Sequence, residues 1–259
     1  MTICVVKCSL GVGGHRFAPV LAPADITEGA RLMRGVFVTG TGTEVGKTVV
    51  AAVIARTLRA AGERVAVFKP AVTGIDEAQA QGTRPDHELL RLAAGSEQSD
   101  DEIAPYRYRP AVSPHLAAEL ASGAIDPAVL REAAGRAESG ADVLVYEGVG
   151  GFLVPLTLGY LVRDLARDLG LPVVIAAAPG LGTINHTLLT VEAVRAVGLR
   201  VEAVVLTPWP AAPGPVERSN REAVERLGGV AVEVLPKLAL SEPGSWPPLR
   251  LPFLRRRAV

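Results

Sequence analysis

Two cysteines are all that this 259-residue chain contains, and both, Cys4 and Cys8, fall within its first eight residues. A pair so close together cannot staple a domain, so a disulfide framework is excluded and a reducing, cytoplasmic setting is expected. By itself the pair also falls short of the four ligands of a structural zinc site. An excess of charge of one sign is missing too: 27 Lys and Arg face 27 Asp and Glu, for a net charge of zero. That leaves no basic surface of the kind a nucleic-acid binder needs to neutralise phosphates. The short run Arg255-Arg256-Arg257 reads as a solvated terminus. No apolar run reaches the roughly 18 residues of a membrane span, so none is expected.

What is present is apolar content, 49% of the residues, enough to exclude disorder over most of the length. The chain is long enough for one large α/β domain with a full core. Residues 1–34 differ from the remainder: they show no sustained period and carry Gly11, Gly13, Gly14, Pro19 and Pro23. A signal peptide fits poorly there, because Lys7 interrupts the apolar start. We read 1–34 as an N-terminal extension, dispensable or poorly ordered, with Met33 as a candidate natural start. Residues 35–259 then form a single domain.

The segment that carries most chemical information begins at Val36. Val36-Phe37-Val38 reads as a short apolar strand, the run from Thr39 to Gly46 as a glycine-rich turn, and Lys47-Thr48 as the start of a helix rich in Ala and Val. Such a turn points successive backbone N–H groups inward, and the helix behind it adds its positive end. Lys47 then reaches the outer phosphates of a nucleotide, and the Thr48 hydroxyl holds Mg²⁺. Five residues separate Gly40 from Gly46, one more than in the generic phosphate-loop pattern. With a strand before it and a helix after it, the segment predicts binding of a nucleoside triphosphate.

Elsewhere the chain alternates strand and helix. Helices are expected over 47–61, 86–94, 114–122, 126–139, 161–169, 184–196 and 217–227. Gly62 is read as the C-terminal glycine of the first, and Asp126 and Pro127 as the cap and first turn of the fourth. Strands are expected at 64–68, 142–146, 172–177, 201–206 and 231–235, and a loop over 71–85. Strands without polar alternation, each separated by a helix, predict a mainly parallel sheet with helices on both faces. Ligands of such sheets gather at the carboxyl ends of the strands.

Three polar residues stand at or beyond such ends. Lys69 closes the second strand and, alone, reads more often as a plain surface lysine. Glu147 opens the loop Glu147-Gly148-Val149-Gly150-Gly151, either as a solvated carboxylate or as a group that binds Mg²⁺ directly or through water. Its glycines allow close approach of backbone to a ligand. Asp86 reads as a helix cap unless a site lies beside it. His87, His115 and His186 have no metal-ligand spacing and are taken as structural or substrate-lining, and no Ser/His/Asp nucleophile arrangement is found.

Together these segments resemble the dethiobiotin synthetase family of biotin biosynthesis. The likeness rests on Thr39-Gly40-Thr41-Gly42-Thr43-Glu44-Val45-Gly46-Lys47-Thr48, on Phe68-Lys69-Pro70-Ala71-Val72-Thr73-Gly74, on Ser113-Pro114-His115, on Glu147–Gly151 and on Gly182-Thr183-Ile184-Asn185-His186. It runs in order from about residue 35 to about residue 240, and the long phosphate loop is the family's own form. The resemblance implies a single-domain, P-loop NTPase-like α/β fold and a cyclo-ligase forming C–N bonds. That enzyme uses ATP, Mg²⁺ and CO₂ to convert 7,8-diaminononanoate into dethiobiotin through a carbamate and a carbamic–phosphoric anhydride.

The resemblance also implies roles. Lys47 and Lys69 become the catalytic lysines, the first following the γ-phosphate and the second steadying the carbamate. Nucleotide contacts come from Thr43, Glu44, Val45, Gly46, Lys47, Thr48, Val49, Asp86, Glu147, Gly148, Val149 and Gly150, with Thr48, Asp86 and Glu147 around the metal. Thr73 touches the diamine. The family is a homodimer with its site at the interface, so Gly182, Thr183, Ile184 and Asn185 hold the substrate's tail carboxylate from the partner subunit. No nucleic-acid or membrane partner is implied.

One segment departs from the family. Many members place an Asn-Asp pair after the strand 201–206 to read adenine, whereas this chain has Thr207-Pro208-Trp209-Pro210. Weaker discrimination of ATP from other nucleoside triphosphates is therefore expected. Two other classes share the nucleotide core. The ATPase switches of the partitioning and positioning kind carry a signature lysine five residues before the catalytic-loop lysine, where this chain has Gly42. Cobyrinate-type synthetases add a glutaminase nucleophile, but residues 35–259 contain no Cys.

Overall fold

Every residue of the strand β1 (Gly35–Gly40) is buried, which is why it carries no polar alternation. The structure is a computed structural model and describes residues 34–251. The extension expected at 1–34, its two cysteines and the Arg255–Arg257 tail therefore lie outside the described residues, Arg34 apart.

After β1 come α1 (Lys47–Ala60), β2 (Val65–Phe68), β3 (Ala71–Val72), α2 (Ile75–Ala80), α3 (Asp86–Ala94), α4 (Asp100–Ile103) and β4 (Tyr106–Arg107). Then follow α5 (Pro114–Leu120), α6 (Pro127–Glu138), β5 (Val143–Glu147), β6 (Pro155–Thr157), β7 (Tyr160–Leu161) and α7 (Val162–Leu169). The order closes with β8 (Val173–Ala177), α8 (Thr183–Ala196), β9 (Val201–Trp209), α9 (Pro215–Gly228) and β10 (Val232–Pro236). Local signals set several boundaries. The Asp126 carboxylate accepts from Ala128 N at 2.8 Å and Pro127 occupies the first turn of α6, as the sequence predicts. A capping box between Ser99 and Glu102 starts α4.

Six strands form one parallel sheet in the order β10-β9-β8-β1-β5-β2. Alternate residues of β1 then point to opposite layers. Val36 and Val38 pack with Ile54 and Leu58 of α1 and Leu90 of α3. Phe37 packs on the other face with Leu130 of α6, Leu165 of α7, Val191 of α8 and Val224 of α9. Helices thus cover both faces, as expected from the apolar strands. The sheet order reverses beside β1, and there the phosphate loop leaves the carboxyl end of the strand.

Three expectations need correction. The stretch 71–85 is not all loop: Ala71–Val72 pairs with Tyr106–Arg107, and 75–80 is helical. α2 buries none of its residues, so no apolar period marks it. It is tied down instead by Gly74 N and Asp76 N, which donate to Pro110 O at 3.0 Å and Arg109 O at 3.3 Å. Glu147 does not open a loop but is the last residue of β5, because its backbone continues the pairing with Val38. β9 runs on to Trp209, held by its pairing with Pro236 of β10, where the apolar run alone suggested a stop at Leu206.

Candidate active site

The phosphate loop is shaped by what its backbone excludes. A Cβ on Gly40 would stand 2.6 Å from Val45 Cγ2 and 2.8 Å from Lys47 Cγ, so the loop closes over a residue without a side chain. Gly46, at φ +83°, caps α1 in the left-handed region, and Glu44 also takes a positive φ of 60°. A non-glycine residue held there marks a loop whose conformation is fixed by its surroundings. Lys47 follows as the first residue of α1, 7% exposed, and its ammonium donates to Gly42 O at 2.8 Å. Burial lowers its pKa to about 8, and the charge of Lys69 adds to that, against the opposing pull of Glu147 and Asp86.

Beside the loop, four side chains from four segments meet. Phe68 of β2 is in register with Tyr146 of β5, which sets Lys69 alongside Glu147. The Lys69 ammonium donates to Glu147 Oε1 at 2.6 Å and pairs with Asp86 Oδ2 at 2.7 Å. Thr48 Oγ1 donates to the same Glu147 Oε1 at 2.8 Å. Lys69 is 3% exposed and Glu147 is fully buried. Burial alone would pull the Lys69 ammonium down, but the two carboxylates outweigh it and push it up to about 12. Glu147 is held above the usual carboxylate range by its burial, against the pull of Lys69. Burial works the same way on Asp86, yet Lys69 prevails and its carboxyl lies below the ordinary value.

Glu147 Oε2 is buried and has no partner among protein groups. A buried carboxylate oxygen without a hydrogen bond is costly unless something else occupies it. With Thr48 Oγ1 and the Asp86 carboxylate it makes a set of hard oxygens, which fits Mg²⁺. Among the described residues no three His, Cys, Asp or Glu side chains group into a metal cage. A sparse set also suits Mg²⁺, which keeps waters and takes substrate phosphates as ligands.

These groups line a cleft of about 630 Å³. It brings together Thr43, Glu44, Gly46, Lys47, Thr48, Val49, Lys69, Thr73, Asp86, Glu147, Val149 and Gly150. Two predicted contacts stand off its wall: the Val45 side chain packs against the core, and Gly148 lies tight against Phe37 and Val162. Gly182, Thr183, Ile184 and Asn185 do not line it either; they form the cap and first turn of α8, where Asn185 is exposed. His87, His115 and His186 are also absent from the lining.

Sequence reasoning missed the far wall, made by Ile75, Ala78, Gln81 and Arg84 with Ala111 and Val112. It also missed what α4 does. Lys69 N donates to Ile103 O at 2.8 Å, so this short helix holds the backbone that presents the ammonium. The capping-box pair Ser99 and Glu102 was the one local signal of that helix.

Comparison with known proteins adds four findings. A family model described as an AAA domain matches residues 34–243. The ATP-dependent dethiobiotin synthetase BioD of Bacillus subtilis strain 168 is 36% identical over 208 residues, covering 80% of this chain and 89% of that protein. The enzyme of the same name from Anaeromyxobacter dehalogenans strain 2CP-1 is 42% identical over 195 residues, 75% of this chain and 86% of its own length. Among solved structures, the septum site-determining protein MinD of Pyrococcus horikoshii OT3, complexed with Mg-ADP, superposes with a TM-score of 0.50. It is 18% identical and covers 79% of this chain and 81% of its own, so that likeness speaks for the fold alone.

Proposed function

The chain belongs to the ATP-dependent dethiobiotin synthetase family, and on that premise we propose that it closes the ureido ring of dethiobiotin. One amine of 7,8-diaminononanoate takes up CO₂ as a carbamate, whose oxygen attacks the γ-phosphate of ATP. ADP leaves, and a carbamic–phosphoric anhydride remains. The second amine attacks the anhydride carbon, forms the cyclic urea and expels phosphate.

The observation that carries this reading is the meeting of buried Lys69 and Glu147 with Asp86 and Thr48 beside the phosphate loop. Phosphoryl transfer asks a protein for position and charge neutralisation more than for covalent help. Lys47 supplies a cation at the loop and follows the γ-phosphate. Lys69, fixed through its backbone by α4, steadies the carbamate and the charge that develops on the anhydride. Thr48, Asp86 and Glu147 are the residues that would hold Mg²⁺, which when bound neutralises the phosphates. Thr73, on the cleft wall, contacts the diamine.

The tail carboxylate of the substrate goes to the first turn of α8 in a second copy of the chain. Gly182–Asn185 do not line the cleft of their own chain, and a helix N-terminus suits an anion. Cytoplasmic operation fits a small-molecule ligase; among the described residues no helix is long and apolar enough to cross a membrane. Residues 35–259 form the catalytic domain, and 1–34 are dispensable to it. Base discrimination is weak, since Thr207-Pro208-Trp209-Pro210 offers no amide side chain to adenine.

The test is incubation of the full-length chain with ATP, Mg²⁺ and bicarbonate, with and without the diamine. Dethiobiotin detected by mass, formed together with phosphate and only when the diamine is present, is the expected result. Hydrolysis that ignores the diamine and yields no product would instead favour an ATPase switch.

A further inference from the structure

We propose that the Lys69 ammonium and a divalent cation compete for the carboxylate charges of Asp86 and Glu147, so that metal enters together with nucleotide and not before it. This rests on the reading above only in taking Thr48, Asp86 and Glu147 as the metal-holding set.

The ammonium already holds one oxygen of each carboxylate. Lys69 Nζ lies 2.6 Å from Glu147 Oε1 and 2.7 Å from Asp86 Oδ2, which puts it between the two carboxylates. Thr48 Oγ1 donates to the same Oε1, so that oxygen already accepts two hydrogen bonds. Glu147 Oε2 is buried and has no hydrogen-bond partner among protein groups. The lysine and the glutamate are both buried, so water screens their interactions poorly.

Charge makes the same point. Lys47 and Lys69 balance Asp86 and Glu147, giving zero net charge for the four groups. A divalent cation arriving alone would meet a neutral cluster with an ammonium at its centre. One arriving on a nucleotide brings phosphates that attract Lys69 away from the carboxylates. Lys69 would then be delivered toward the phosphates by the event that fills the metal site. The ordering follows from electrostatics and needs no movement of backbone.

Two measurements test this on the full-length chain, neither using the diamine. The first is Mn²⁺ binding to the nucleotide-free protein, read from loss of the free-ion electron paramagnetic resonance signal. Lys69→Met removes the competing cation without adding a donor, and binding at least about tenfold tighter than in the unsubstituted protein is expected. Equal or weaker binding overturns the proposal. The second guards against a misfolded variant and uses the unsubstituted protein. The ¹⁵N signal of the Lys69 ammonium, assigned by its loss in Lys69→Met, is followed as Mg²⁺ and ADP are added. It should change only when both are present; an unchanged signal at saturation overturns the proposal, as does displacement by Mg²⁺ alone at comparable concentration. Failure to make dethiobiotin would leave both results standing, so the two readings fail separately.

Discussion

The methyl group of Thr207, at the far end of β9, lies 2.6 Å from where a Cβ on Gly46 would stand. The phosphate loop therefore lies directly against the end of β9, at the segment Thr207-Pro208-Trp209-Pro210. Gly46→Ala meets two penalties, a left-handed backbone at φ +83° and a clash with Thr207. Together they should cost about 2–4 kcal/mol of stability. Thr207→Ser removes the methyl, so the double variant should recover at least about 0.5 kcal/mol of the loss beyond additivity. Chemical denaturation of the four proteins checks this, and strict additivity would show that Thr207 does not brace the loop.

The same segment bears on the base. A site built to hydrogen-bond a base rejects analogues strongly, whereas apolar contact discriminates weakly. Beyond Thr207, only Trp209 and the prolines Pro208 and Pro210 follow along the strand end. ATP should therefore be preferred over CTP or GTP by less than about 100-fold in kcat/KM. Competition between nucleotides in dethiobiotin formation measures the ratio, and a larger preference would mean that backbone groups read adenine.

How far the chain was legible follows from where its signals are local. β1, β5 and β8 announce themselves as apolar runs because both their faces are buried. Asp126-Pro127 marks α6 because a cap and a first-turn proline act within one turn. α2 and the β3–β4 pair leave no such mark, since they are held by backbone bonds to residues 106–110, more than thirty positions away. Within the site, Lys47 and Thr48 stand in a motif whose chemistry is local. Lys69 and Asp86 do not: only the pairing of β2 with β5, and the packing of α1 on α3, bring them to Glu147. Family resemblance supplied their roles before geometry brought them together.

Tyr146 shows a different balance. Its ring stacks on Phe37 with centroids 5.1 Å apart and tilts against Phe68 at 4.7 Å, while its hydroxyl is buried without a partner. An unsatisfied hydroxyl weakens the fold, and deleting it keeps the ring contacts. Tyr146→Phe should therefore stabilise the protein by about 1 kcal/mol in urea unfolding. A loss of similar size would reveal a water bound to the phenol.

Lys69 and Glu147 should separate binding from chemistry. If Lys69 acts on charge that develops during transfer, Lys69→Ala lowers kcat by about 10²–10³-fold and moves the nucleotide KM by less than about threefold. Glu147→Gln keeps the shape of the buried side chain but loses the negative charge that faces Thr48 and Lys69. Its activity should fall and should recover in part at raised Mg²⁺, whereas that of Lys69→Ala should not. Steady-state kinetics across Mg²⁺ concentrations decides; a KM effect alone for Lys69→Ala would assign it to phosphate binding.

A shared site makes a prediction that a self-contained one cannot. If Gly182–Asn185 serve the cleft of a second copy, Lys69→Ala and Ile184→Asp lie on different subunits of each site. Each variant alone should be nearly inactive. In a heterodimer one site carries both defects and the other carries neither. Random reassortment makes half of the dimers mixed, so a refolded equimolar mixture should regain about one quarter of the unsubstituted activity. Were both residues to serve the cleft of their own chain, every site would keep one defect and mixing would restore nothing. The exposure of Asn185, and the absence of 182–185 from the cleft beside Lys69, favour the first outcome.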